Sequence, residues 1–141
     1  MTRTRILLAD DHEVVLEGLR RILDLPEFEV VGVVENGRAL VDAASDLHPD
    51  VLVVDISMPV LGGIEAVRRI RESDQSARVV FLSMHSETAY AVEAIHAGGS
   101  AYIRKDTAVK DLVAAIREIR QGKIFVSPSM AGRVMRALGS E

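Results

Sequence analysis

Residues 6–13 read Ile6-Leu7-Leu8-Ala9-Asp10-Asp11-His12-Glu13, an apolar run suited to a protein interior that stops at two adjacent carboxylates. A helix cap at Asp11 would account for one of them. The rest of the chain decides the question, because the pattern recurs. Residues 5–9, 28–34, 51–54, 78–82 and 100–103 are short and rich in Val, Ile and Leu. Several are too apolar to leave a face for water, which predicts buried strands.

Segments with helical spacing lie between them. Val15, Leu19, Ile22 and Leu23 mark the first; Leu40, Val41, Ala44 and Leu47 the second; Ile64, Val67 and Ile70 the third. Val109, Leu112, Val113, Ile116 and Ile119 give the fifth the clearest apolar stripe. The fourth, residues 87–97, is mostly alanine with Tyr90, Val92 and Ile95 as its large anchors, and predicts a more loosely held helix. Asn36-Gly37, His48-Pro49, Gly62-Gly63 and Gly98-Gly99 punctuate the changes of period. Five alternations of strand and helix predict a parallel sheet covered on both faces. After Gly122 the pattern shifts: Ser127-Pro128 predicts a helix start, followed by Met130, Val134 and Leu138 at four-residue spacing. Residues 1–121 therefore read as one domain, and 122–141 as a linker with a short helix.

A chain of 141 residues, 48% of them apolar, suffices for one packed core. No apolar run approaches the roughly 20 residues of a membrane span, and none follows the N-terminal arginines as a signal peptide would. A cytoplasmic location without membrane contact is expected. The absence of cysteine excludes disulfides, thiolate chemistry and Cys-based zinc sites. A net charge of −4 with no clustered basic face argues against DNA binding by this segment itself.

In an open parallel sheet, ligands bind at the carboxyl ends of the strands. Here those ends carry Asp10-Asp11, Asp55, Ser83 and Arg104-Lys105. Singly, Asp55 reads as a turn residue, Ser83 as a cap for the fourth helix and Lys105 as a solvated charge; together on one rim they point to a site. Two carboxylates about 4 Å apart repel by about 4 kcal/mol at an effective dielectric of about 20, so protons or a cation must compensate. Few protein oxygens favour Mg²⁺, which keeps its waters, over Ca²⁺. With a cation, the Lys105 ammonium and the Ser83 hydroxyl in place, one carboxylate can attack a phosphoryl group and form an aspartyl phosphate.

The acidic pair, VLVVDISMPVLGGIEAV (51–67), VVFLSMHS (79–86) and AGGSAYIRKD (97–106) together resemble the receiver domain of two-component response regulators over about residues 5–121. SMHSE (83–87), YIRKD (102–106) and AIREIRQGKIFVSPSMAGRVM (115–135) further resemble the NarL/LuxR-type subfamily, where a linker joins the receiver to a helix-turn-helix output domain. The resemblance implies a flavodoxin-like, five-stranded sheet of order 2-1-3-4-5 with five flanking helices. It implies Asp55 as phospho-acceptor from a sensor histidine kinase, and Mg²⁺ (or Mn²⁺) held by Asp11, Asp55 and the backbone carbonyl of Ser57, with Asp10 acting through a water. Lys105 would pair with the phosphoryl oxygens. Ser83 would swing in to bond them and Tyr102 would rotate into the space vacated, rearranging the face of helix four, strand five and helix five. Phosphorylation would promote homodimerisation, through helices one and five, and control transcription through a domain absent from this chain. Such a protein is a switch, not an enzyme, beyond catalysing its own phosphorylation and dephosphorylation.

Asp106 stands where many receivers have a cis proline, and Gly62 where many have Asp. Ser57 and His85 occupy the positions that tune phosphoryl lifetime, although a loop histidine more often has no such role. Tyr102 also reads as a core aromatic. His12, His48 and His96 show no zinc-like pattern and read as surface residues. Among competing readings, a phosphatase would want a second acid near the nucleophile, where this chain has Asp55-Ile56-Ser57. A flavodoxin-like nucleotide binder would want a Ser/Thr/Gly phosphate loop where this chain has Asp10-Asp11-His12-Glu13. A stand-alone receiver, or a pseudo-receiver acting only through protein contacts, completes the alternatives.

Overall fold

Apolar alternation organises the molecule around one parallel sheet. The computed structural model describes residues 2–140; Met1 and Glu141, which bound the segments 1–121 and 122–141, lie outside them. The strands are β1 (Thr4–Ala9), β2 (Phe28–Val34), β3 (Val51–Asp55), β4 (Arg78–Ser83), β5 (Ala101–Arg104) and β6 (Phe125–Val126). The helices are α1 (Glu13–Ile22), α2 (Gly37–Leu47), α3 (Gly63–Arg71), α4 (Thr88–His96), α5 (Ala108–Arg120) and α6 (Pro128–Gly139), with a 3₁₀ turn at Lys105–Thr107.

Successive residues of a strand point to opposite faces, and the two cores follow that rule. Leu7, Leu52, Val54, Val79, Phe81 and Tyr102 face one side, under α2, α3, α4 and α6. Ile6, Leu8, Val53, Val80, Leu82 and Ile103 face the other, under α1 and α5. The sheet order is β2-β1-β3-β4-β5-β6, all pairs parallel. The expected 2-1-3-4-5 arrangement holds within it. The expected strand count does not: β6 adds a sixth strand.

That strand is two residues long, too short to show a period of two, so no pattern announced it. It pairs Ala101 with Phe125 and Tyr102 with Val126, satisfying backbone groups that would otherwise make β5 an open edge. Helix α6 follows with Ser127 at its N-cap and Pro128 in its first turn, as expected. Met130 and Val134 of α6 are 1% and 0% exposed, inside the core that covers Tyr102. Residues 125–139 therefore pack onto the domain. Helix α4 is the thinly anchored element that its composition predicts, with Ala91 and Ala94 as its buried residues.

Neither of the alternative helix-cap roles, at Asp11 or at Ser83, is the one these residues have. The N-cap of α1 is His12, not Asp11. The N-cap of α4 is Glu87, well past Ser83.

Candidate functional site

Four strands, β1, β3, β4 and β5, bring a polar residue to the carboxyl rim at or just past their ends. Asp10 follows β1 with its backbone amide donating to the Val34 carbonyl at 3.0 Å, which extends the ladder one residue and pins the side chain inside. Asp55 ends β3. The two carboxylates are 0% and 2% exposed, while Asp11 stays at the surface. Lys105, in the 3₁₀ turn after β5, crosses the rim with its Nζ 2.9 Å from Asp10 Oδ2 and 3.0 Å from Asp55 Oδ2. The other Asp55 oxygen accepts the Ser57 amide at 3.1 Å. The Lys105–Asp106 peptide is trans, since the described residues contain no cis bond.

Burial raises the Asp55 carboxyl above its ordinary value; the Lys105 hydrogen bond opposes this and the Asp10 charge adds to it. Burial alone would lower Lys105, but its close pairing with the Asp10 and Asp55 carboxylates outweighs that and raises it. The site therefore holds a firm ammonium and a carboxylate that ionises reluctantly.

Asp10, Asp11 and Asp55 carry three negative charges against the one ammonium, a deficit that a divalent cation would cancel. Asp10 Oδ2 is buried and has no aligned hydrogen-bond donor, since Lys105 approaches it only as an ion pair. One ligand atom from each of Asp10, Asp11, His12 and Asp55 lies within 4.8 Å of the others. This mostly oxygen donor set suits a hard divalent cation.

His12 is a surface residue as read, but it also has acidic partners that the sequence reading missed. Its ring remains half exposed, yet Nδ1 stands 2.9 Å from Asp10 Oδ1, 3.2 Å from Asp11 Oδ1 and 3.2 Å from Lys105 Nζ. Its position directly after the acidic pair was the available signal. His48 caps α2 in a left-handed conformation, its carbonyl accepting from Arg5. His96 sits at the end of α4. His85 lies outside the acidic cluster; its ring stacks on Tyr90 with centroids 4.2 Å apart. Its amide donates to Ser83 Oγ, and its carbonyl accepts from the Tyr102 hydroxyl, both at 2.9 Å. Ser83 is buried and ends β4 on the same rim. Tyr102 lies fully inside, where the sequence reading has it arriving on activation, and burial raises its hydroxyl pKa.

A sheet of this order, with its acids gathered around one lysine, places them on the carboxyl rim, the edge where open parallel sheets bind their ligands. The sequence model described as "Response regulator receiver domain" matches residues 6–117, and this chain belongs to that family. It is 32% identical over 135 residues to the transcriptional regulatory protein DegU of Brevibacillus brevis, covering 95% of this chain and 57% of DegU. It is 35% identical over 127 residues to the response regulator UvrY of Escherichia coli K12, covering 89% of this chain and 58% of UvrY. The crystal structure of a LuxR-family two-component response regulator from Aurantimonas sp. SI85-9A1 superposes with a TM-score of 0.90 at 36% identity, covering 96% of this chain and 98% of that one. The chain thus spans a little over half the length of the curated relatives it matches, and is a receiver domain with relatives of the NarL/LuxR type. Receiver domains act as phospho-accepting switches and bind Mg²⁺ at an acidic cluster of the kind present here. Among the described residues no helix is long and apolar enough to cross a membrane.

Proposed function

We propose that Asp55 accepts a phosphoryl group from the phosphohistidine of a sensor histidine kinase and that the resulting aspartyl phosphate switches a transcriptional output. The observation that carries this reading is the pair of buried carboxylates, Asp10 and Asp55, sharing the single Lys105 ammonium. An Asp55 oxygen attacks phosphorus, the P–N bond breaks, and the imidazole leaves with its electron pair. Asp11, Asp55 and the Ser57 carbonyl would hold Mg²⁺ or Mn²⁺, with Asp10 behind a water. Bound there, the cation neutralises phosphoryl charge. Lys105 pairs with the phosphoryl oxygens, Ser83 donates its hydroxyl to them, and Ser57 and His85 set the lifetime. Tyr102 completes the switch. Residues 1–121 form the receiver and 122–141 lead toward an output domain outside this chain, an arrangement supported by DegU being a transcriptional regulator and by the partial coverage of the relatives.

The test is intact mass after incubation with acetyl phosphate. A single phosphoryl adduct that requires both Mg²⁺ and Asp55, and is absent in Asp55→Asn, is the expected result. No adduct on a folded protein would leave a pseudo-receiver acting through contacts alone.

Phosphorylation-dependent homodimerisation is part of the same proposal, and the surface supports it. Val14 and Val109, at the starts of the adjacent helices α1 and α5, are 84% and 77% exposed, whereas the β5 edge is covered by β6. Burying a valine is worth about 1.5 kcal/mol, so Val14→Asp should weaken a two-fold dimer by at least about tenfold. Sedimentation velocity with and without phosphodonor measures this. Monomers under both conditions in the wild type would defeat it.

A further inference from the structure

Strand β6 pairs with β5 beside Tyr102, and helix α6 enters the same buried core as the Tyr102 ring. The Phe125 amide donates to the Ser100 carbonyl and the Ser127 amide to the Tyr102 carbonyl, each at 3.0 Å; the Arg104 amide donates to Ser127 Oγ at 3.1 Å. The segment thus grips β5 on both sides of Tyr102. Tyr102 and Val126 pair in register, so their side chains lie on the same face of the sheet. There Val126, Met130 and Val134 share one apolar cluster with Tyr102 and with Ala91 and Ala94 of α4. The other end of the ring is tied to the rim: its hydroxyl donates to the His85 carbonyl, and the His85 amide donates to Ser83 Oγ.

We propose that residues 125–139 form a strap whose seating is coupled to the inward position of Tyr102 and, through Ser83 and His85, to phosphorylation of Asp55. The last link rests on the receiver reading above. The inward ring lies in the one buried cluster that Val126, Met130 and Val134 also fill. An outward ring leaves a void there, which a close-packed core resists. Seated strap and inward ring therefore favour each other. Because such coupling is reciprocal, a modification that favours the inward ring must tighten the strap, and loosening the strap must disfavour the modified state.

The chain has two tyrosines and no tryptophan, so in a Tyr90→Phe background Tyr102 is the sole emitter. In that background Val134→Asp unseats α6, with Met130→Ala as the milder variant should the first not fold. Local opening of the strap should speed hydrogen exchange at the Phe125 and Ser127 amides by at least about tenfold. Acrylamide quenching of Tyr102 should rise with it. In the unsubstituted chain, acetyl phosphate with Mg²⁺ should slow exchange at both amides, and Asp55→Asn should abolish the slowing. Fast strap exchange with Tyr102 still shielded would overturn the coupling. So would unchanged exchange in samples whose intact mass carries the adduct. If no adduct forms, the receiver reading fails instead, and the quenching comparison still decides whether strap and ring are coupled.

Discussion

Lys105→Met lowers stability at pH 7 by about 3–5 kcal/mol, the cost of leaving buried charges without their partner. The Lys105 ammonium is almost wholly buried between Asp10 and Asp55, and nothing else among the described residues reaches Asp10 Oδ2. The deficit depends on pH in a defined sense. Lys105 is raised above its ordinary value of 10.5, so its contribution is complete below pH 10.5 and fades as pH rises through the folded value. Asp55 is raised above its ordinary 3.8, so as pH falls toward that range it takes up a proton and no longer needs the ammonium. The gap between wild type and variant should therefore be widest near neutrality and close at both ends. Urea denaturation across pH gives the profile. Mg²⁺ should restore part of the loss at pH 7, since a bound divalent cation supplies the missing positive charge and stabilises the folded state by mass action. A variant as stable as wild type at pH 7 would mean that the pocket tolerates two unpaired carboxylates, and would remove the electrostatic basis of the site.

The fold was legible because the inner strands β1, β3, β4 and β5 are buried on both faces through most of their length. A run such as Val51-Leu52-Val53-Val54 has no wet side to obscure, and the polar residue that ends it marks the rim without ambiguity. Asp10, Asp55, Ser83 and Lys105 were found by that logic. What stayed hidden has a physical reason in each case. Strand β6 has two residues, and a period cannot be read from two. His12 was signalled only by standing directly after the acidic pair, which does not by itself say that its ring turns toward the carboxylates. Val60 is a β-branched residue at φ 69°, in the left-handed region that composition reserves for glycine or asparagine. The buried cluster that includes Tyr102 depends on how α6 lies against α4, which four-residue spacing in α6 permits but does not specify.

The acceptor's position also depends on a residue with no side chain. At Gly63, the first residue of α3, an added Cβ would stand 2.3 Å from the Asp55 carbonyl oxygen and 2.8 Å from Val54 Cγ1. Backbone cannot rotate away as a side chain can, and the Gly63 amide donates to the Ile56 carbonyl at 2.9 Å, holding the loop after Asp55 closed. Helix α3 cannot retreat freely either, because Ile64, Val67 and Ile70 anchor it in the core. Gly63→Ala must therefore push the end of β3 away from α3. The strain should cost about 1–3 kcal/mol, and a displacement near 1 Å at the nucleophile should slow adduct formation by about 100-fold. Gly18→Ala is the control: it lies mid-α1 with nothing within 4 Å of its added Cβ, and should stabilise by about 0.5–1 kcal/mol. Urea midpoints and the time course of intact mass with acetyl phosphate separate the two variants. Normal stability and a normal rate in Gly63→Ala would show that β3 and α3 are not pressed together at the acceptor, and that the rigidity ascribed to the Asp55 backbone comes from elsewhere.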